Sequence, residues 1–265
     1  MFKYILPLLV LLAACDSPEK AGRGGDKTPQ NIVVSFRNEA EMDARMIEID
    51  SMVAKTGLVA NSLFYSKESG ENLQVNGYMG GGADTSILRI EEVFNQDENG
   101  FSGRRMYYLN NGKAFVIHEK IDVSTPQKSQ FVERISYYDP SGKVLKTKER
   151  SSNYEEEIEG VAFKPAALVT LSIDRVMRAL NQEKEFQTTF QGFVDQGAQS
   201  YLIVGENKPD GYSSALMVSF KDKLINELGK DQQGYLGVPV IVNFEKYLDE
   251  TGIEFQVYTG GDFGK

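Results

Sequence analysis

The chain has 265 residues, 41% hydrophobic and 25% charged, the proportions of a folded protein with one large or two ordinary domains. With 29 Lys and Arg against 38 Asp and Glu, its formal charge of −9 argues against nucleic acid, whose phosphates need a basic surface. A single Cys and a single His rule out an intrachain disulfide and most zinc, iron–sulfur and haem sites, and no other cofactor is implied.

Met1-Phe2-Lys3-Tyr4 is a short segment with one positive charge, followed by an apolar run from Ile5 to Ala14. A membrane span needs roughly 20 apolar residues, so this run is too short and fits the hydrophobic region of a signal peptide, residues 1–14. It ends in Leu12-Ala13-Ala14-Cys15. At that point the sequence resembles bacterial lipoprotein precursors, whose lipobox reads Leu-Ala-(Gly/Ala)-Cys. The resemblance covers the first 15 residues and implies cleavage before Cys15. It also implies a thioether-linked diacylglycerol on the Cys15 sulfur and a fatty amide, palmitate in kind, on the new N-terminus. Two or more chains make a stable anchor, each buried CH₂ adding about 0.8 kcal/mol. The membrane would then be a partner through lipid on Cys15, and the location the bacterial cell envelope. Asp16 resembles the inner-membrane retention signal of enteric lipoproteins, whereas early acidic residues accompany surface export in other groups, so both membranes stay open. Residues 15–30 are rich in Gly, Pro and charge, and read as a tether with an r.m.s. reach of roughly 20 Å.

Residues 31–150 read as a helix plus an antiparallel sheet. Asn31–Phe36 has strand character. A helix is expected from Glu39 to Lys55, capped by Asn38 and ended by Gly57, with Met42, Met46, Ile49 and Val53 on its core-facing stripe. From Leu58 to Arg150 short alternating runs are divided by turn residues. Asn111-Gly112 signals a two-residue type I′ turn, which sets Leu109 opposite Ala114, Tyr108 opposite Phe115, Arg105 opposite His118 and Arg104 opposite Glu119. Asp139-Pro140-Ser141-Gly142 signals a type I turn closed by a Gly bulge.

Residues 151–164, with Glu155, Glu156, Glu157 and Glu159, read as a polar linker. Pro165 to Lys184 then reads as a helix with Val169, Ile173, Val176, Met177 and Leu180 on one face. Five strands follow, over 186–194, 200–206, 214–220, 238–244 and 253–258, with a short helix near 222–228 between the third and fourth. That order resembles an OB-fold, so 165–265 is expected to be a helix plus a small OB-like β-barrel. The expected fold class is therefore α+β, mostly antiparallel β.

Catalytic motifs are sparse. His118 lies mid-strand and no Gly-x-Ser-x-Gly elbow is present, so it reads as a packing residue. Gly80-Gly81-Gly82 lacks the Lys-Ser/Thr of a phosphate loop, and Asp262-Phe263-Gly264 lacks every companion motif of a kinase. Asn95-x-Asp97-x-Asn99-Gly100 has the spacing of half a calcium loop, but Met106 stands where the bidentate Glu would be, and a polar hairpin turn is the plainer reading. Tyr201, Tyr212 and Tyr235 are candidate stacking residues of an OB-like surface. Residues 186–265 carry six basic and eleven acidic side chains, which points such a surface to an envelope protein, a peptide or a saccharide. The expected function is a membrane-anchored, non-enzymatic envelope lipoprotein with a ligand- or protein-binding role. Its alternatives are an envelope hydrolase with a carboxylate-based site and a lipid or lipoprotein carrier with a half-open β-barrel.

Overall fold

The computed structural model describes residues 35–80, 86–97, 100–123, 125, 127–128, 130–252 and 254–264. The signal peptide, Cys15, the tether, most of the strand expected at Asn31–Phe36, Gly81, Gly82 and Asn99 lie outside the described residues.

The first element is helix α1 (Glu39–Thr56), as its caps dictate. The Asn38 side chain accepts the Glu41 amide at its start, and Gly57 closes it at φ 73°. Met42, Ile49 and Val53 are buried, and Met46 packs beside them, so the methionine stripe serves the core. Next come β1 (Leu58–Asn61), β2 (Tyr65–Ser66), β3 (Asn72–Met79), β4 (Ile87–Asn95), β5 (Ser102–Asn110), β6 (Lys113–Asp122), β7 (Phe131–Tyr138) and β8 (Val144–Ser152). From β3 to β8 each strand pairs antiparallel with the next. α1 lies over one face of this meander, on Leu88, Tyr108, Phe115, Val116, Ile135 and Tyr137.

Both hairpin turns form as read, but bulges displace the register beyond them. Asn111 and Gly112 have φ of 51° and 73°, and Leu109 faces Ala114. A bulge then inserts Phe115, so Tyr108 faces Val116, Arg105 faces Glu119, Arg104 faces Lys120, and Met106 faces His118. The expected pairs Tyr108–Phe115, Arg105–His118 and Arg104–Glu119 are thereby corrected by one residue. The second turn closes through the Gly142 amide on the Asp139 carbonyl at 2.9 Å, with Gly142 at φ 88°.

Two further expectations are corrected after β8. Residues 151–164 do not separate two modules. They hold the end of β8, a 3₁₀ turn (Glu155–Gly160) that buries Ile158, and the start of β9 (Lys164–Pro165) beside β8. The helix expected over Pro165–Lys184 shrinks to α2 (Asp174–Asn181). Residues 166–173 stay outside the helix, and tertiary hydrogen bonds hold them. The Tyr138 hydroxyl donates to the Val169 carbonyl at 3.2 Å and accepts the Leu171 amide at 3.1 Å, and the Ala166 amide donates to the Thr147 carbonyl at 3.0 Å.

The remaining elements are β10 (Thr189–Gln196), β11 (Gln199–Gly205), β12 (Ser213–Val218), α3 (Lys223–Lys230), α4 (Gln232–Tyr235), β13 (Val240–Leu248) and β14 (Glu254–Phe263). Five strands with helix after the third are present, in the order β10-β11-β12-β14-β13, and β12 runs parallel to β14. The barrel expected there is not closed. Its first and fourth strands meet in one bridge, Thr189–Pro239, flanked by hydrogen bonds of Phe190 and Val240, because Pro239 has no amide to extend a ladder. β12 also pairs with β2 through Ser213 and Ser66. Among the described residues fourteen strands thus join one sheet, and the chain from Ile32 to Lys265 is one compact unit. The core follows suit: Tyr65 and Leu73 from the first half share a cluster with Phe186, Leu202 and Tyr258.

Candidate functional site

The face of the meander opposite α1 carries an ion ladder. Glu92 on β4 faces Arg105 on β5, which faces Glu119 on β6, then Arg134 on β7 and Glu149 on β8. Side-chain period two places all five on one face. Arg105 Nε donates to Glu119 at 2.9 Å, Arg134 Nη1 to Glu119 at 3.2 Å, and Arg134 Nη2 to Glu149 at 2.8 Å. Arg105 Nη2 also reaches Asp97 at 2.8 Å, and its guanidinium lies 4.1 Å from the centroid of Phe94. Gly103 on the same strand admits no side chain: a Cβ there would stand 2.3 Å from the Lys120 carbonyl oxygen.

One end of the ladder opens into a cleft of about 640 Å³. Its floor is Glu92, Arg105 and Tyr107, and its walls are the β2–β3 hairpin, α2 and the connection between β11 and β12. Arg175, on the first turn of α2, ties these walls together. It donates to Glu92 at 3.0 Å, to Glu71 at 2.8 Å and to the Tyr212 hydroxyl at 2.8 Å. The Tyr212 hydroxyl in turn donates to Glu71, while its ring stacks on Phe186 at 4.8 Å and has Lys67 Nζ 4.4 Å from its centroid. Lys67 pairs with Glu71 and Arg178 with Glu185. The Tyr107 hydroxyl donates to Glu92 at 2.6 Å.

Burial pushes the Tyr107 phenol well up, and Glu92 beside it adds to the rise. Tyr212 is raised by burial and then by its bond to Glu71. For Arg105 and Arg175 burial opposes the charge, but the adjacent carboxylates, Glu92 foremost, outweigh it and raise both guanidinium values. The cleft therefore presents neutral phenols and permanent cations. Glu206 is the exception to its pairing. Oε1 meets Lys208 at 2.8 Å, and Oε2 is buried without a hydrogen-bond partner.

Of the residues singled out in the sequence, Tyr212 belongs to the cleft, but Phe186 and Lys67 lie against its ring. Tyr201 donates its hydroxyl to Gln199 at 2.7 Å, and Tyr235 packs on Phe263 with centroids 5.5 Å apart. The three tyrosines thus have separate partners and share none. Asn95 accepts the Ser102 hydroxyl at 2.6 Å, and Asp97 is engaged by Arg105 and the Phe101 amide. Among the described residues no three His, Cys, Asp or Glu side chains converge as a metal-binding set. His118 bonds Glu133 at 2.7 Å on the α1 face, away from the cleft. The sequence offered one signal for the missed residues: alternating charges at Glu92, Arg105, Glu119, Arg134 and Glu149, one per strand.

No protein-family model, curated protein or solved structure matches the chain.

Proposed function

We propose that this chain is a lipid-anchored cell-envelope protein with a non-enzymatic binding role, held by lipid on Cys15 and receiving its ligand in the cleft beside α2. The partner is an envelope protein, a peptide or a saccharide. The observation that carries the reading is the way the cleft's groups are used. Its guanidinium groups are bonded by carboxylates, and Glu71 and Glu92 share Arg175. Acid–base or nucleophilic work needs a group with a free lone pair aimed at substrate. Here the carboxylates Glu71 and Glu92 are instead tied up by Arg175, Tyr212, Tyr107 and Lys67, which supports recognition over hydrolysis. A carrier of lipid needs an apolar cavity, and the lining of this cleft is charged. Among the described residues no helix is long and apolar enough to cross a membrane.

The anchor is tested by feeding cells a clickable fatty acid. The wild-type chain is labelled and Cys15→Ser is not, and equal label on both overturns the anchor. The site is tested with a photo-crosslinking amino acid at exposed Thr170, on the cleft rim, against one at exposed Leu145. Adducts in intact cells at Thr170 but not at Leu145 support the reading, and the same yield at both sinks it.

A further inference from the structure

Away from the cleft, β13 ends the C-terminal sheet. Among the described residues it pairs with β14 on one side and with no strand on the other. Backbone groups alternate in direction along a strand. The Pro239 carbonyl accepts the Gly264 amide at 2.8 Å, so odd-numbered positions bond toward β14. The Val240 amide donates to the Thr188 carbonyl at 2.9 Å, and the Val240 carbonyl accepts the Thr188 hydroxyl at 2.5 Å, so even-numbered positions turn to the outer edge. The single register shift between the two strands puts its extra residue, Thr259, on β14, and the alternation along β13 is kept. Past Val240 the outward amides and carbonyls belong to Val242, Phe244, Lys246 and Leu248. No further backbone bond among the described residues takes them.

Folded proteins blunt such an edge with proline, a bulge or an exposed lysine. Here Pro239 precedes the open stretch, and the extra residue of the bulge lies on the neighbouring strand. Lys246 turns its ammonium back across the hairpin, to Asn76 at 3.2 Å and Glu254 at 3.3 Å, with its side chain only 13% exposed. Ile241, Asn243, Glu245 and Tyr247 share the solvent face of the strand, all exposed, and Glu245 is the one charge among them.

We infer that this edge pairs with the same edge of a second copy of the chain, antiparallel across a two-fold axis, joining the two sheets. The side chains fix the register. Outward groups must meet outward groups, so even-numbered positions face even-numbered positions. Centring the pair on residue 245 sets Glu245 against the second copy's Glu245, and centring it on 246 sets lysine against lysine, and like charges directly opposed are unfavourable. Centring it nearer the strand's start calls on Val240, whose groups Thr188 holds. The register centred on Phe244 avoids all three. It sets Asn243 against the second copy's Glu245, an amide donor against a carboxylate acceptor. It also sets Ile241 against Tyr247, covering side chains that are 54% and 47% exposed. The two-fold axis makes each of these contacts twice. A strip about 24 Å long and one strand wide is well short of the roughly 800 Å² per partner of a stable complex, so the dimer is weak and concentration-dependent.

The test uses the full chain from residue 15 with Cys15→Ser, so that an introduced thiol is the only one. Sedimentation velocity up to about 1 mM should show the mass rising from monomer toward dimer. Asn243→Glu, at an exposed position, sets acid against acid in both contacts and should weaken association about tenfold. Asn243→Glu combined with Glu245→Lys should restore it. An unchanged urea midpoint in both variants shows that the fold is kept. Asn243→Cys and Glu245→Cys, carried by differently tagged chains, read the register. Directly opposed residues of this kind lie about 4.5 Å apart at Cα, within disulfide reach. Under mild oxidation the mixture should give the mixed disulfide, and neither variant alone should cross-link. Glu245→Cys alone cross-linking as readily as the mixture would overturn the register. A monomer at every concentration, or association that Asn243→Glu leaves unchanged, would overturn the pairing of this edge with a second copy.

Discussion

The two faces of the β3–β8 meander are built on opposite terms. Under α1 the sheet presents Tyr108, Val116, Ile135 and Tyr137, an apolar surface with two hydroxyls at its margin. Those hydroxyls fasten the helix: Tyr137 donates to Asp43 at 2.7 Å, and Tyr108 to both oxygens of Asp50 at 3.1 Å. On the other face a row of five alternating charges crosses five strands. An apolar face specifies which side of a strand is inward, but a slip of two residues would still set apolar against apolar. A charged row does not tolerate that slip. Moving β6 by two residues would put Arg105 opposite Ile117 or Ile121 and leave buried charges unpaired. The helix face thus supplies burial, and the ladder face supplies register.

The largest test of this division is to break the ladder at its centre. The Arg105 side chain is 10% exposed and meets Glu92, Asp97 and Glu119. Arg105→Ala would take a charged partner from three buried carboxylates and should lower unfolding stability by about 3–5 kcal/mol, read from urea denaturation. Replacing Glu92, Arg105 and Glu119 together with Leu, Met and Leu should cost less than that single change, because Asp97, still bonded by the Phe101 amide, is then the one carboxylate of the three left without Arg105. Arg175 keeps Glu71 and Arg134 keeps Glu149 in such a variant. A triple variant weaker than Arg105→Ala would show that the charges themselves, not their mutual satisfaction, hold the sheet.

A smaller effect separates the faces by pH. Glu133 lies on the α1 side of the sheet, where burial acts to raise its carboxyl. Hydrogen bonds from His118 and Arg150 outweigh burial and bring it down to about 2. Glu39, at the start of α1, is lowered by its bond to Lys146, against a smaller opposing effect of burial, with Lys148 adding to the fall. Both folded values lie below the ordinary 4.5. The stability they contribute is therefore complete above about pH 4.5 and is lost as pH falls toward 2. The urea midpoint should drop between pH 5 and 3, and Glu133→Gln should flatten that limb while lowering the midpoint at pH 7. An acid limb unchanged by Glu133→Gln would place the acid sensitivity elsewhere.

Much of this architecture is legible in the sequence. Caps and spacing place α1 within a residue of its observed end, and turn chemistry places both hairpins, since each is settled by neighbours in the chain. The five C-terminal strands and the helix after the third follow from the same local signals. What local signals do not carry is the bulge at Phe115, which moved every pairing beyond it and hid the ladder: Arg105 read against His118 rather than Glu119. Residues 166–173 have a helical pattern, yet bonds to Tyr138 and Thr147 hold them outside the helix. The cleft was illegible for a related reason. Its floor and walls are drawn from Lys67, Glu92, Arg175 and Tyr212, four distant segments with no shared motif.

The smallest effect sharpens the comparison at the bulge itself. Phe115 is the inserted residue, so it does not stand directly across from Tyr108, yet both side chains reach the α1 face. Their ring centroids are 6.5 Å apart and inclined by 59°, within the range of an edge-to-face contact. Phe36 lies closer to Phe115, at 4.7 Å, and competes for the same ring. A directly opposed cross-strand aromatic pair contributes roughly 0.2–1 kcal/mol over Ala–Ala. The longer, shared contact here should fall in the lower half of that range. A double-mutant cycle of Tyr108→Phe and Phe115→Leu misses it, because the phenyl ring remains and only the bond to Asp50 is lost. The informative cycle is Tyr108→Leu with Phe115→Leu, measured by urea denaturation and repeated with Asp50→Ala to remove the hydroxyl's contribution. Coupling below about 0.5 kcal/mol in both backgrounds is expected. Coupling above about 1 kcal/mol would mean that the two rings meet as a direct pair, and that the bulge lies on the other side of Phe115.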